Sequence, residues 1–429
     1  DGTTNLDAVD VDGAVNFAAD VTFADGADII TASAGTDIVR VGANAGNSIV
    51  SGSQYNVLIG SEAGTALTTG DANVAIGYAA LEAEDAHGFN VAVGHETLKA
   101  LNAGADAYNT AVGFRAGLAV TTGTFNTLVG GLAGDAITTG TRNIAVGYNA
   151  LTSDTLGSKS VAIGLGTLQD QNFTTATDAF NTAVGHGAGS SVTTGTANTL
   201  IGATAGDALT TGSQNVAVGR NALSGDTLGR RAVAIGEGAL FAQNFTTATE
   251  NYNVVVGYDA GVSVTTGIHN TLLGGLAGDA LTDADKNVAI GYNALTADTL
   301  GSRSVAIGVG TLGAQNFTTA TSAYNVAVGH NAGTAVTTGI QNTIVGGLAG
   351  NALTTGSNNT VVGRDALGAD TLGSRAVAIG DAALQSQNFT TATENYNVGV
   401  GYAAGANVTT GTENTFIGGA SGDALTTGI

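Results

Sequence analysis

The chain has 429 residues, 67 of them Gly, with 34 acidic against 12 basic side chains for a net charge of −22, and no Pro, Cys, Met or Trp. Absence of Cys excludes a disulfide framework, the negative balance disfavours nucleic acid and anionic lipid as partners, and no apolar run is long enough for a membrane-spanning helix. Length alone suggests two or three domains, but an internal repeat favours one elongated body.

Residues 1–55 carry short β-branched runs broken by Asp-Gly and Ala-Gly pairs, read as short strands and turns of an N-terminal stem or cap. Near its end, Ile38-Val39-Arg40-Val41-Gly42 is a degenerate forerunner of the phrase that then takes over. The phrase begins as Asn56-Val57-Leu58-Ile59-Gly60, ends as Asn414-Thr415-Phe416-Ile417-Gly418, and occurs 21 times. Its starts step by 17, 17 and 19 through irregular entry coils over 56–108. Over 109–429 they step by 17, 17, 17 and 21 in 72-residue cassettes of four coils, the last cassette incomplete. A fixed period of this size predicts an all-β parallel β-solenoid of about 21 coils, each stabilised by stacking on its neighbours. The missing Pro agrees, since Pro cannot donate to a ladder. The chain starts at Asp1 and ends within a coil, so a processed or partial chain is expected.

Within the phrase, the fifth place is always Gly, as at Gly113 and Gly185, which suits a corner needing positive φ. The opening Asn, spaced 72 apart at Asn109, Asn181, Asn253, Asn325 and Asn397, suits the turn before the strand, where its amide can bond backbone and stacked copies can form a ladder. Places two and four share one side of an extended segment. We read that side as the inside, which makes the fourth-place aliphatics Ile59, Ile76, Val112, Val129, Val146, Ile163, Val184, Ile235, Ile307, Ile379 and Ile417 the structural core. The third place, usually Ala, then faces outward, and Leu128, Leu200, Leu272, Ile344 and Phe416 form an apolar stripe. Such a stripe normally marks an interface, which predicts a parallel homotrimer.

The fourth coil of each cassette is the long one, inserting Gln-Asn-Phe-Thr-Thr-Ala-Thr. Its Phe173, Phe245, Phe317 and Phe389 are candidates for exposed recognition, with capping of the coil as the other role. At its base, Lys159, Arg231, Arg303 and Arg375 face Asp178, Glu250, Ser322 and Glu394 as possible ion pairs that Ser322 shows to be dispensable. No cofactor is expected. Carboxylates recur in the second coil (Asp135, Asp207, Asp279, Asp423) and the third (Asp154, Asp226, Asp298, Asp370), and one from each set, as Asp135 with Asp154 or Asp207 with Asp226, is a candidate for a Ca²⁺ site, turn formation being the simpler role. His95, His186 and His330 follow the Gly corner where Tyr or Arg stands in other coils, and read as corner residues rather than metal ligands. No catalytic constellation repeats in step, so the chain is not expected to be an enzyme.

Ser160-Val161-Ala162-Ile163-Gly164 and Ser304-Val305-Ala306-Ile307-Gly308 resemble the repeated signature in head domains of trimeric autotransporter adhesins. Longer runs resemble repeats of bacteriophage tail fibres, and Asp1 to Phe17 resembles their stem segments. The likeness covers 56–429 and implies a left-handed parallel β-roll assembled from three chains. Coils of 17 or 21 residues are longer than those of the adhesins, and there is no heptad stalk or anchor barrel, which favours a viral fibre. The function the resemblance implies is a structural fibre or adhesin shaft that mediates host-cell attachment, on a virion tail or at an extracellular surface. Its partners are then itself, as a homotrimer, and a cell-surface receptor, protein or glycan. A bacterial trimeric surface adhesin and a self-assembling extracellular filament are the alternative readings.

Overall fold

The computed structural model describes residues 34–428. The stem expected over 1–55 falls mostly outside the described residues, as does the likeness of Asp1 to Phe17.

Three-residue strands recur once per coil, from Val39–Val41 to Thr415–Ile417, and pair in sequence order into one parallel sheet of 22 strands. Registration is exact in place: Val39 sits beside Val57, Thr182 beside Thr199, and Val400 beside Ile417. The chain is therefore a parallel β-solenoid, all-β among the described residues, and at strand spacing its sheet is roughly 100 Å long. Val39–Val41 already belongs to it, so the end of the expected stem is the first described coil.

The direction of the strand side chains reverses the sequence expectation. In every strand from Val57–Ile59 onward the middle residue is buried while its two neighbours are half-buried or exposed. Leu128, Leu200, Leu272 and Ile344 are completely buried and Phe416 nearly so, which makes them core and not interface. The residues assigned to the core (Ile59, Ile76, Val112, Val129, Val146, Ile163, Val184, Ile235, Ile307, Ile379 and Ile417) lie on the outer face instead. The reason is physical: alternation groups residues by side without saying which side is inside. What selects the side is the opening Asn, whose amide has its partners inside the coil and carries the third place inward with it.

That amide is the main polar tie of the coil. Asn126 Nδ2 donates to the Gly140 carbonyl at 3.0 Å, and its Oδ1 accepts from the backbone N–H of Asn143 in the next coil at 2.9 Å. The same pattern places Asn109, Asn181, Asn253, Asn325 and Asn397 inside the solenoid, all fully buried. A buried polar group costs little only when it is bonded.

The narrow interior is filled by complementary sizes. In the first two coils of a cassette the ninth place is Gly, leaving room for the third-place Leu: a Cβ on Gly189 would stand 2.6 Å from a Leu200 methyl. In the third and fourth coils the third place is Ala, except for Val361, and the ninth is Leu, as at Leu151 and Leu168. Leu168 takes φ near 49°, which costs about 1–2 kcal/mol. Complete burial of its side chain contributes about 1.5–3 kcal/mol, so the exchange favours Leu. The irregular entry keeps this code, with Leu58 and Gly64 in one coil, Leu81 in the next and Leu98 in the third, all three Leu buried. It is a degenerate cassette, in phase with the regular ones.

The place-five corners explain their invariant Gly. Gly185 has φ of 137°, and a Cβ there would lie 2.5 Å from the carbonyl oxygen of Gly202 in the next coil.

Candidate interaction face

The outer face of the sheet is the most regular surface of the molecule. Across all 22 strands its first and third residues are Val, Ile, Leu or Thr, with no charge anywhere. Ile163 is 38% exposed, Ile235 36% and Leu273 46%. A strip about 10 Å wide along a rod of about 100 Å presents on the order of 1,000 Å². The largest apolar patch of a typical monomer is only about 300–600 Å².

Two columns flank this strip. On one side, just past the Gly corner, stand exposed Tyr78, Phe114, Tyr148, Tyr258, Tyr292 and Tyr402. His95, His186 and His330 share that column and are also exposed, and His95 stacks between Tyr78 and Phe114. On the other side, the residue preceding each opening place forms an aromatic and cationic ladder. Phe89 stacks on Tyr108 at 5.0 Å and Tyr108 on Phe125 at 5.4 Å, while Lys159, Arg231, Arg303 and Arg375 lie over Phe180, Tyr252, Tyr324 and Tyr396. Each of these rings has at least one face taken by its neighbour in the ladder. The expected ion pairs form at the same place: Lys159 with Asp178 at 2.6 Å, Arg231 with Glu250 at 3.2 Å and Arg375 with Glu394 at 3.0 Å. Arg303 bonds Ser322 and Tyr324 instead. The hydrogen bond from Tyr396, the largest cause, and the charge and hydrogen bond of Arg375 hold the Glu394 carboxyl below its ordinary range, against a smaller opposing effect of burial.

The long coils do not present their Phe rings. Phe173, Phe245, Phe317 and Phe389 are 5–6% exposed, which removes them as exposed recognition residues and leaves them as caps over the base of the loop. Exposed there instead are Thr174, Thr175 and Ala176 and their counterparts in the other cassettes. The insertion exists because its return leg pairs again with the preceding coil, Thr177–Asp178 beside Gly157–Ser158.

Under each long coil lies a buried carboxylate that the sequence reading took for a turn residue or Ca²⁺ ligand. Asp154 is wholly enclosed; its Oδ1 accepts from the N–H of Gly157 at 3.0 Å and of Phe173 at 3.3 Å, and its Oδ2 from Gln171 Nε2 at 2.6 Å. Gln171 Oε1 in turn accepts from Asn181 Nδ2 at 2.8 Å. Asp226, Asp298 and Asp370 repeat the arrangement with Gln243, Gln315 and Gln387. Burial pushes the carboxyl of all four above its ordinary range, and the donated hydrogen bonds offset part of that rise. The Gln was the missed residue; its 72-residue recurrence was the available signal.

Asp135 accepts from Thr152, and Asp207 leaves a buried oxygen without a partner. Among the described residues, the only three acidic or His side chains close enough to share an ion are Glu84, Asp85 and His87, so none of the proposed Ca²⁺ ligands joins such a group. Glu84 holds the inner position that Asp154 holds in its own coil; it is completely buried and bonded by the N–H of His87 at 3.1 Å and of Ala103 at 3.3 Å.

No family model, curated protein or solved structure matches this chain. The reading of its role therefore rests on its own surfaces.

Proposed function

We propose that the chain is the shaft of an adhesive fibre, of the kind a bacteriophage tail carries, which spans distance and presents attachment elements to a cell-surface protein or glycan. The observation that carries this reading is the single parallel ladder from Val39 to Ile417, in phase from coil to coil without a break. Such a body resists bending and extends in proportion to its coil number. The opening Asn column and the Asp154 type of carboxylate are bonded to the chain itself. Chemistry is thus left to the outside, where the exposed loop tips recur once per cassette, about 19 Å apart at strand spacing. Weak contacts repeated at that interval gain strength by multivalency.

The test joins shape to adhesion. Negative-stain micrographs of the purified chain should show rods of one length, near 100 Å at strand spacing. Fluorescently labelled chain should bind some members of a panel of bacterial strains, saturably and in competition with unlabelled chain. Rods that bind no strain would reject attachment, and compact particles would reject the shaft.

A further inference from the structure

We propose that Glu84, Asp85 and His87, in the entry coil that begins at Asn73, form a binding site for one divalent transition-metal ion of the Zn²⁺ class. Their ligand atoms lie within 4.8 Å of one another. Donors around a tetrahedral Zn²⁺ stand about 3.4 Å apart, so rotation of the two half-buried side chains, Asp85 and His87, closes the set. What singles these residues out is a difference within the chain itself. The same stretch reads Asp-Thr-Leu-Gly in every cassette, as at 154–157, 226–229, 298–301 and 370–373, but Glu84-Asp85-Ala86-His87 here. Thr155 donates its hydroxyl to the Phe173 carbonyl of the next coil at 3.0 Å, and Asp85 puts a carboxylate, which cannot donate, in its place. A Cβ on Gly157 would collide with Asp154 Oδ2, whereas His87 brings an imidazole to that position. The His87 backbone still does what the Gly does, its N–H donating to Glu84 Oε1 at 3.1 Å and its carbonyl accepting from Asn73 Nδ2 at 3.0 Å.

The groups that close the carboxylate in the cassettes are also exchanged. The place of Gln171, whose amide bonds Asp154, is taken by Leu101, and the place of the capping Phe173 by Ala103. Glu84 is left with two backbone donors, the N–H of His87 and that of Ala103 in the next coil. A carboxylate accepts at about four positions, so two remain for an ion, which would brace both coils at once. The imidazole supplies the second observation. Among the described residues His87 Nδ1 has no hydrogen-bond partner; it is shut off from water and lies 3.3 Å from Glu84 Oε1 without the alignment of a hydrogen bond. A buried ring nitrogen left unbonded calls for a partner. One imidazole with two carboxylates suits a borderline ion such as Zn²⁺, while Ca²⁺ takes six to eight oxygens. The other use of the contact is a plain ion pair between His87 and Glu84.

Equilibrium dialysis of the full chain against Zn²⁺ should give one tight site per chain that equimolar Ca²⁺ does not displace. Asp85→Asn and His87→Gln should each weaken it by at least about tenfold, the loss already typical of a partner that only orients a ligand. His186→Gln, at an exposed His of a regular cassette, should leave it unchanged. A second variant guards against loss of folding by using the chain's own solution. Glu84→Asp, Asp85→Thr, Ala86→Leu, His87→Gly and Leu101→Gln together rebuild the cassette pattern and should abolish the site with an unchanged circular dichroism spectrum. In hydrogen exchange, Zn²⁺ should protect the His87 and Ala103 amides, the two that bond Glu84, and leave their counterparts at Gly157 and Phe173 as they were. A chain that binds Zn²⁺ no more tightly than its rebuilt variant would overturn the proposal and leave the Glu84–His87 contact an ion pair. Displacement by equimolar Ca²⁺ would overturn the choice of ion. Neither result bears on the shaft reading, which has its own adhesion test.

Discussion

Asp226→Ala tests how the long coil is held, and the molecule supplies its own controls. The substitution removes the acceptor for three buried donors, the N–H of Gly229, the N–H of Phe245 and Gln243 Nε2, at 3.0, 3.3 and 2.7 Å. Each buried donor left without a partner costs about 1–3 kcal/mol. Gln243 can recover part of its loss by turning, at the expense of its bond from Asn253 Nδ2. The Phe245 N–H, at the base of the protruding loop, can reach water. A local destabilisation of about 3–5 kcal/mol remains, enough to open the loop over residues 243–250 while stacked neighbours hold the coils on either side. Hydrogen exchange read by mass spectrometry should show faster exchange of the Gly229 and Phe245 amides. Peptides containing Asp154, Asp298 and Asp370 in the same molecules should be unchanged. Asp226→Asn keeps one acceptor and should give a smaller effect at the same amides. Equal protection of all four loops in the Ala variant would refute the anchoring role, and uniform loss of protection along the rod would refute local stacking.

Leu200→Ala should lower stability in urea by about 3–5 kcal/mol, because it removes three carbons from a fully buried site and leaves a cavity, whereas Ile201→Ala, on the 39% exposed outer face, should cost about 1 kcal/mol. The reverse order would restore the sequence reading of inside and outside. Gly185→Ala should cost more than about 3 kcal/mol and loosen its own corner, since it combines a φ that L residues avoid with a carbonyl 2.5 Å from the new Cβ; an unchanged unfolding midpoint would exclude that clash. For pH, the folded pKa of Asp154, Asp226, Asp298 and Asp370 is raised above the unfolded value by burial, so their contribution is greatest below the unfolded pKa and is lost as pH rises through the folded one. Urea midpoints should therefore increase from neutral pH toward the ordinary carboxylate range, and Asn at all four positions should flatten that slope. Glu96, held low by Lys99 and Arg115, works in the opposite sense, losing its contribution as pH falls through its folded pKa.

The repeat was legible because a solenoid writes its geometry into the chain at fixed intervals. Coil boundaries, the Gly corner, the Asn column and the place where the rod bulges can each be counted from residue spacing, since backbone ladders require the same residue type at the same height. The entry coils looked irregular only because their lengths and surface residues drift; Leu58, Leu81 and Leu98 preserve the inner code. The role of Phe173 was ambiguous in the sequence because an aromatic ring on an inserted loop can equally turn out to bind or turn in to cap. Its burial follows from a carboxylate and a Gln that lie 19 and 2 residues earlier, at Asp154 and Gln171, a coupling across coils that no local pattern displays.

What the sequence determined by itself was the period, the parallel stacking and the set of residues that share each side of the strand. Tertiary structure decided which side is inside. Both sides of the strand are apolar, mostly Ala or Leu on one and mostly Val, Ile or Thr on the other, so hydrophobicity cannot choose between them, and the larger β-branched side chains point to the wrong answer. The choice belongs to the coil's small cross-section, which fits a third-place Ala beside a ninth-place Leu or a third-place Leu beside a ninth-place Gly, and to an Asn amide that finds its partners inside. That inversion buries Leu128 and its counterparts and leaves the outer face of the sheet, with its β-branched side chains and no charge along its whole length, toward solvent.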